Sequence, residues 1–196
     1  MFDICSSSEI IENLQDNDSI EEWEKFFIKI DKEINKIIEK NNYEINIYKF
    51  TGDGFILLAD KSEKDRIVEF CYNISKLINT YLDSLIEEHV SIKPDRKGIT
   101  IGMEYGKISK ISINNNDEYL GKTINVAVRL QSTLKNKEHV NKMLMSKYAK
   151  KMTCKQYKNS VCINRERSLR NLYGNKNFYC SEFDLKDDLK NHMIMD

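Results

Sequence analysis

Two long stretches carry apolar residues at helical spacing. Between Glu21 and Lys40, Trp23, Phe26, Phe27, Ile30, Ile34, Ile37 and Ile38 fall on one stripe. Between Glu63 and Glu88, Ile67, Phe70, Ile74, Leu77, Ile78, Tyr81 and Leu85 do the same, so each stretch reads as an amphipathic helix. From Glu44 to Phe50 the period drops to two, which places Ile45, Ile47 and Lys49 on one strand face and Tyr48 and Phe50 on the other. Thr51-Gly52-Asp53-Gly54 follows as a tight turn, and Phe55 to Ala59 as the returning strand. After the break at Lys93-Pro94-Asp95-Arg96-Lys97-Gly98, Ile99 to Tyr105 and Lys107 to Ile113 read as strands. Asn114 to Asp117 reads as a loop, Leu120 to Leu134 as a short approach and a helix, and Val140 to Lys150 as a shorter helix. Late strands are expected around Val161 and Phe178.

Helices alternating with strands, plus one clear hairpin, indicate an α+β fold with a mixed sheet flanked by helices. With 196 residues, one proline and seven glycines, residues 1–196 are expected to form a single domain. Charge then narrows the function classes. Lys+Arg and Asp+Glu both total 31, and a nucleic-acid binder normally shows a basic excess. Anionic ligands must therefore be met by local groups. Five scattered cysteines without a C-x-x-C pair, and three histidines without metal-ligand spacing, fit a reduced cytoplasmic protein. No apolar run has the length of a signal peptide or membrane span.

Two constellations have residue types suited to chemistry. Asp3 precedes Ile4-Cys5-Ser6-Ser7-Ser8-Glu9, a helix entry whose free N–H groups suit phosphate oxygens. Asp53 stands at the hairpin tip between glycines, where another group can approach closely. Two carboxylates brought together there suit a pair of Mg²⁺ or Mn²⁺ ions. Alone, each is equally an ordinary cap or turn residue. Asn125 and Arg129, four residues apart, share one helical face. Together they suit a ribose hydroxyl and a phosphate on which charge is growing.

The order of the motifs is more specific than any one of them. Phe2-Asp3-Ile4, the segment Lys49 to Phe55 (KFTGDGF) and the segment Gly121 to Leu130 (GKTINVAVRL) resemble the motifs of class III adenylate/guanylate cyclases. Ile99 to Gly106 resembles the strand between them, and the match is strongest over residues 1–134. The resemblance implies a ferredoxin-like, palm-type sheet and closure of a nucleoside triphosphate to a 3′,5′-cyclic nucleotide with loss of pyrophosphate. Carried over by position, Asp3, Asp53 and the Ile4 carbonyl hold two divalent cations, and Cys5, Ser6, Ser7 and Ser8 cradle the phosphates. Asn125 and Arg129 act on the transition state, Lys49 and Glu118 read the base, and Arg170 meets the triphosphate.

The resemblance also implies a head-to-tail homodimer in which these two groups face each other across the interface. Lys49 as donor and Glu118 as acceptor suit adenine and cytosine, whereas uracil lacks the amine. Small solitary bacterial cyclases resemble the pyrimidine cyclases of the Pycsar antiphage system, whose cUMP or cCMP is sensed by a separate effector, so adenine and pyrimidine both stay open. A catalytically dead nucleotide-binding regulatory domain is the alternative, yet neither metal carboxylate nor the arginine is lost. The G-G-[DE]-E-F turn of diguanylate cyclases is absent. Only Met1 and Phe2 precede Asp3, so the first strand either begins at the terminus or is cut short.

Overall fold

The computed structural model describes residues 1–153, 155, 157, 162–169 and 177–186. Its strands are β1 (Phe2–Ile4), β2 (Ile45–Phe50), β3 (Gly54–Ala59), β4 (Ile99–Met103), β5 (Ser109–Ile113), β6 (Asn116–Leu120), β7 (Lys142–Ser146), β8 (Cys162–Ser168) and β9 (Asn177–Asp184). Its helices are α1 (Ser7–Asp16), α2 (Glu21–Lys40), α3 (Ile67–His89), α4 (Lys122–Ser132) and α5 (Lys147–Thr153). Seven strands form one mixed sheet in the order β2-β3-β1-β4-β7-β9-β8, and β5 and β6 form a separate hairpin. Among the described residues, only the β4–β7 pairing within the large sheet is parallel.

The three residues of β1 hold an interior position, paired antiparallel with β3 on one side and β4 on the other. Alternation sends Phe2 and Ile4 into the main core, where they join Phe26, Phe27, Ile30 and Ile34 of α2 and Phe70, Ile74 and Ile78 of α3. Asp3 consequently faces the opposite side of the sheet. That side is covered by α4, which contributes Val126 and Leu130 to a second cluster with Leu144 and Cys180. Two close approaches set this geometry. A Cβ on Gly54 would lie 2.0 Å from the Phe2 carbonyl oxygen, and one on Gly102 would lie 2.0 Å from the Ala127 carbonyl oxygen. Glycine at 102 is what lets α4 lie directly on β4.

Several sequence expectations are corrected. Val140 to Lys150 is not one helix but β7 followed by α5. Met143, Leu144 and Met145 are all buried because β7 is covered on both faces, and such a continuous apolar run is ambiguous between strand and helix. Asn114 to Asp117 is not a free loop. Asn114 and Asn115 take φ of 52° and 63°, a tight turn that leads straight into β6. The second long helix starts at Ile67 after a 3-10 turn, Lys61–Asp65. There buried Glu63 accepts from the Glu44 N–H at 2.9 Å and pairs with Arg66 at 2.8 Å, contacts that stop the periodic pattern from continuing upstream. Of the late strands, β9 contains Phe178, while Val161 lies outside the described residues.

The correction with most bearing on function is in β2. Ile47 pairs with Leu57 but Lys49 pairs with Ile56, so Tyr48 is the extra residue of a β-bulge. Ile45, Ile47 and Phe50 now share the core face, where the Phe50 ring meets Phe27 at 4.8 Å and Phe55 at 5.2 Å. Lys49 is turned onto the other face, the one shared by Asp3 and Ile56. Strict alternation had grouped Lys49 with Ile47 and Phe50 with Tyr48. One inserted residue inverts both assignments.

Candidate active site

Asp3 and Asp53 are brought together by β1 and the hairpin tip. Asp3 pairs with Gly54, the residue after Asp53, and the Ile4 N–H donates to the Asp53 carbonyl at 2.8 Å. Burial, followed by the Asp53 carboxylate within hydrogen-bonding reach, pushes the Asp3 carboxyl well above the usual carboxylate range. Gln131 Nε2 opposes this by donating to Asp3 Oδ2 at 2.9 Å, as does the nearby Arg96 charge. Two half-buried carboxylates that crowd each other are a donor set that a hard divalent cation relieves. Among the described residues no group of three or more His, Cys, Asp and Glu side chains is placed to hold a metal. A cation at this pair would therefore draw its remaining ligands from the backbone, phosphate oxygens and water.

The phosphate cradle opens beside this pair. Ser6 has φ of 54° and makes no side-chain cap to α1. Its Oγ instead accepts from the Arg96 N–H at 3.2 Å. The first intrahelical bond runs from Ile10 N–H to the Ser6 carbonyl at 3.0 Å, which leaves the N–H groups of Ser7, Ser8 and Glu9 ahead of it. The Cys5 N–H is already donated to the Gly98 carbonyl at 2.8 Å, so the donors facing an anion are those that follow it. Ser7 Oγ donates to Asp53 Oδ2 at 3.1 Å and ties the helix entry to the second carboxylate. Burial pushes the Cys5 thiol up to about 11.

Asn125 and Arg129 lie on one exposed face of α4. Gln131, two residues beyond Arg129, is turned about 200° around the helix and points into the Asp3 cleft. Arg129 is therefore directed away from the carboxylate pair of its own chain. Lys49 is exposed, while Glu118 on β6 is half-buried. The Glu118 carboxylate accepts a hydrogen bond from the Tyr48 hydroxyl, and that hydroxyl accepts from the Tyr119 N–H at 3.2 Å. The Tyr48 and Tyr119 rings meet edge to face at 5.0 Å. Arg170 lies outside the described residues.

Three residues near these groups escaped the sequence reading. Gln131 also donates to Thr100 Oγ1 at 3.0 Å and so fixes Asp3 against β4. Arg96 reaches across the cleft, donating to the Leu134 carbonyl at 2.7 Å and to Cys5 Sγ at 3.3 Å, while its buried Nε has no partner among the described residues. Tyr48 holds Glu118. Gln131 carried a usable signal, since a polar residue one position after the buried Leu130 interrupts the apolar side of α4. Arg96 carried none, being one cation in a charged loop.

No protein-family model matches the sequence, and no curated protein matches it. Similar architectures do occur among solved structures. The guanylyl cyclase Cya2 aligns at 15% identity over 99% of this chain and 94% of that one, with a TM-score of 0.72. A bacterial light-regulated adenylyl cyclase aligns at 19% over 95% of this chain and 51% of that one, with a TM-score of 0.66. The adenylyl cyclase CyaB from P. aeruginosa aligns at 16% over 93% and 90%, with a TM-score of 0.61. What these proteins share with this chain is the fold: a mixed seven-stranded sheet flanked by helices.

Proposed function

We propose that the protein is a nucleotidyl cyclase, closing a nucleoside triphosphate to a 3′,5′-cyclic nucleotide with release of pyrophosphate. The observation that carries this reading is the meeting of Asp3 and Asp53 beside the uncapped start of α1, on a fold shared with adenylyl and guanylyl cyclases. Asp3, Asp53 and the Ile4 carbonyl are the groups to hold two divalent cations, Mg²⁺ or Mn²⁺. Bound there, such ions supply activation of the 3′-hydroxyl and neutralisation of the triphosphate. The N–H groups of Ser7 and Ser8 hold the phosphate oxygens, and the α1 dipole adds to them. Asn125 orients the ribose, and Arg129 offsets charge developing at the α-phosphorus.

Arg129 points away from the carboxylates of its own chain, and this favours assembly. A second copy placed head to tail supplies Asn125, Arg129, Lys49 and Glu118 to the Asp3–Asp53 cleft, giving two equivalent sites. Exposed apolar side chains accompany Glu118: Ile113 and Leu120 on the β5–β6 hairpin are 50% and 55% exposed.

The base proposed is one with a ring acceptor beside an amine at C6 or C4, adenine or cytosine, with Lys49 donating to the ring acceptor and Glu118 accepting from the amine. Incubation with ATP, CTP, GTP and UTP in Mn²⁺, followed by mass analysis, tests the assignment. Cyclic AMP or cyclic CMP is the expected product. No cyclic product from any of the four sinks the cyclase reading in favour of a nucleotide-binding domain, and cyclic UMP or GMP alone sinks the base assignment.

A further inference from the structure

We infer that Tyr48 is a positioning residue for base recognition, and this rests on the proposed cyclase reading. The bulge in β2 has two effects at once. It turns Lys49 onto the face shared by Asp3, and it leaves Tyr48 outside the ladder with its ring free to reach the β5–β6 hairpin. There the hydroxyl has a fixed polarity. It accepts from the Tyr119 N–H at 3.2 Å, so its single proton goes to Glu118. The edge-to-face contact with Tyr119 holds the ring in that direction.

The consequence is a carboxylate with one oxygen occupied. Glu118 has two oxygens and a flexible stem, and unheld it can turn either oxygen to a ligand or accept from two donors at once. With Tyr48 bound to one oxygen, the carboxylate is held in one orientation and its other oxygen is the one left wholly open to a ligand. That arrangement selects one amine on a base edge and disfavours a base that presents a carbonyl at the same point, where acceptor would face acceptor. Tyr48 thus acts on the base through Glu118, and its bulge couples the acceptor on β6 to the donor Lys49, its neighbour in sequence.

Tyr48→Phe keeps the ring contact with Tyr119 and removes the hydroxyl alone. The expected result is a rise of about tenfold in KM for the preferred triphosphate, as when one hydrogen bond to a charged group is lost. Discrimination against UTP and GTP should fall by a similar factor while kcat changes less than about twofold. Glu118→Gln should lose the same discrimination, and the double variant should be no worse than Glu118→Gln alone. A thermal midpoint close to wild type confirms that folding is intact; a large drop turns the comparison to Tyr48→His, whose ring N–H restores a donor and should recover part of the discrimination. Tyr48→Phe with wild-type KM and base ratios, beside a Glu118→Gln that loses them, overturns the inference. Should wild type form no cyclic product, the cyclase reading fails by itself. Titration of wild type and Tyr48→Phe with each triphosphate then decides the role of Tyr48: equal base preference in the two proteins, or no binding by either, overturns it.

Discussion

At the scale of single residues, the site is defined by what each polar group is forced to face. Asp3 alternates away from Phe2 and Ile4, so a core strand delivers a carboxylate to a cleft. Its partner Asp53 arrives from a turn, and burial plus the second carboxylate leave the pair short of positive charge. Asp53→Ala should therefore abolish cyclic product in Mn²⁺ while the protein still folds; undiminished turnover in a folded variant would disprove the metal role. Arg129 is exposed, so its loss has little structural cost. Arg129→Ala should keep the wild-type melting midpoint but lower kcat by about two to three orders of magnitude. Cys5, Cys71 and Cys180 are buried, and burial raises the Cys5 and Cys180 thiols to about 11. Neither of these two should react with iodoacetamide at pH 8 before denaturation, when mass spectrometry should show both modified.

Elements bring their own tests, and they separate what the sequence discloses from what it hides. The long helices were legible because Trp23 to Ile34 and Phe70 to Ile78 repeat at a period that only one face of a helix satisfies. The Asp53 turn and the Asn125–Arg129 spacing were legible for the same reason: each is local. The bulge was not, since a one-residue insertion leaves no mark in composition and is fixed by pairing with Leu57 and Ile56. Nor was β7, whose apolar run is buried on both faces, Leu144 against Val126 and Leu130 of α4, and Met143 and Met145 in the main core. The contact of α4 with β4 predicts that Gly102→Ala forces the helix outward and costs about 1–3 kcal/mol, measurable as a lower urea midpoint. His139 ends the 3-10 turn Lys137–His139 after α4, and its Nδ1 accepts from the Asn136 N–H at 3.2 Å. Burial, then the Arg167 charge, lowers its pKa from the usual 6.5. The unfolded chain therefore binds the proton more readily. Its contribution is complete above about pH 6.5 and declines as pH falls from there toward the folded pKa. His139→Gln should flatten urea midpoints across that window, and an unchanged slope would show that other groups control it.

On the scale of the whole molecule, the groups of the proposed site divide into two sets, and Arg129 of the second is directed away from the first. Asp3, Asp53 and the start of α1 form one, and Lys49, Glu118, Asn125 and Arg129 the other. In the proposed homodimer, equimolar Asp53→Ala and Arg129→Ala chains, each at about 1% of wild type or less by itself, should recover up to roughly a quarter of wild-type activity after subunit exchange. Half of the dimers would be mixed, and each of these has one site with both changes and one with neither. No recovery despite exchange would place the whole site within one chain. The single helix α4 then has a double allegiance. Its Gln131 grips Asp3 in its own chain, while Arg129, about 200° around the same helix, would serve the partner's cleft in the proposed dimer. In that dimer, a shift of α4 on substrate binding would be felt at both clefts together, and the two turnovers would not be independent. Saturation curves should depart from a simple hyperbola, and Gln131→Ala, which releases the rod at one end, should bring the Hill coefficient closer to one.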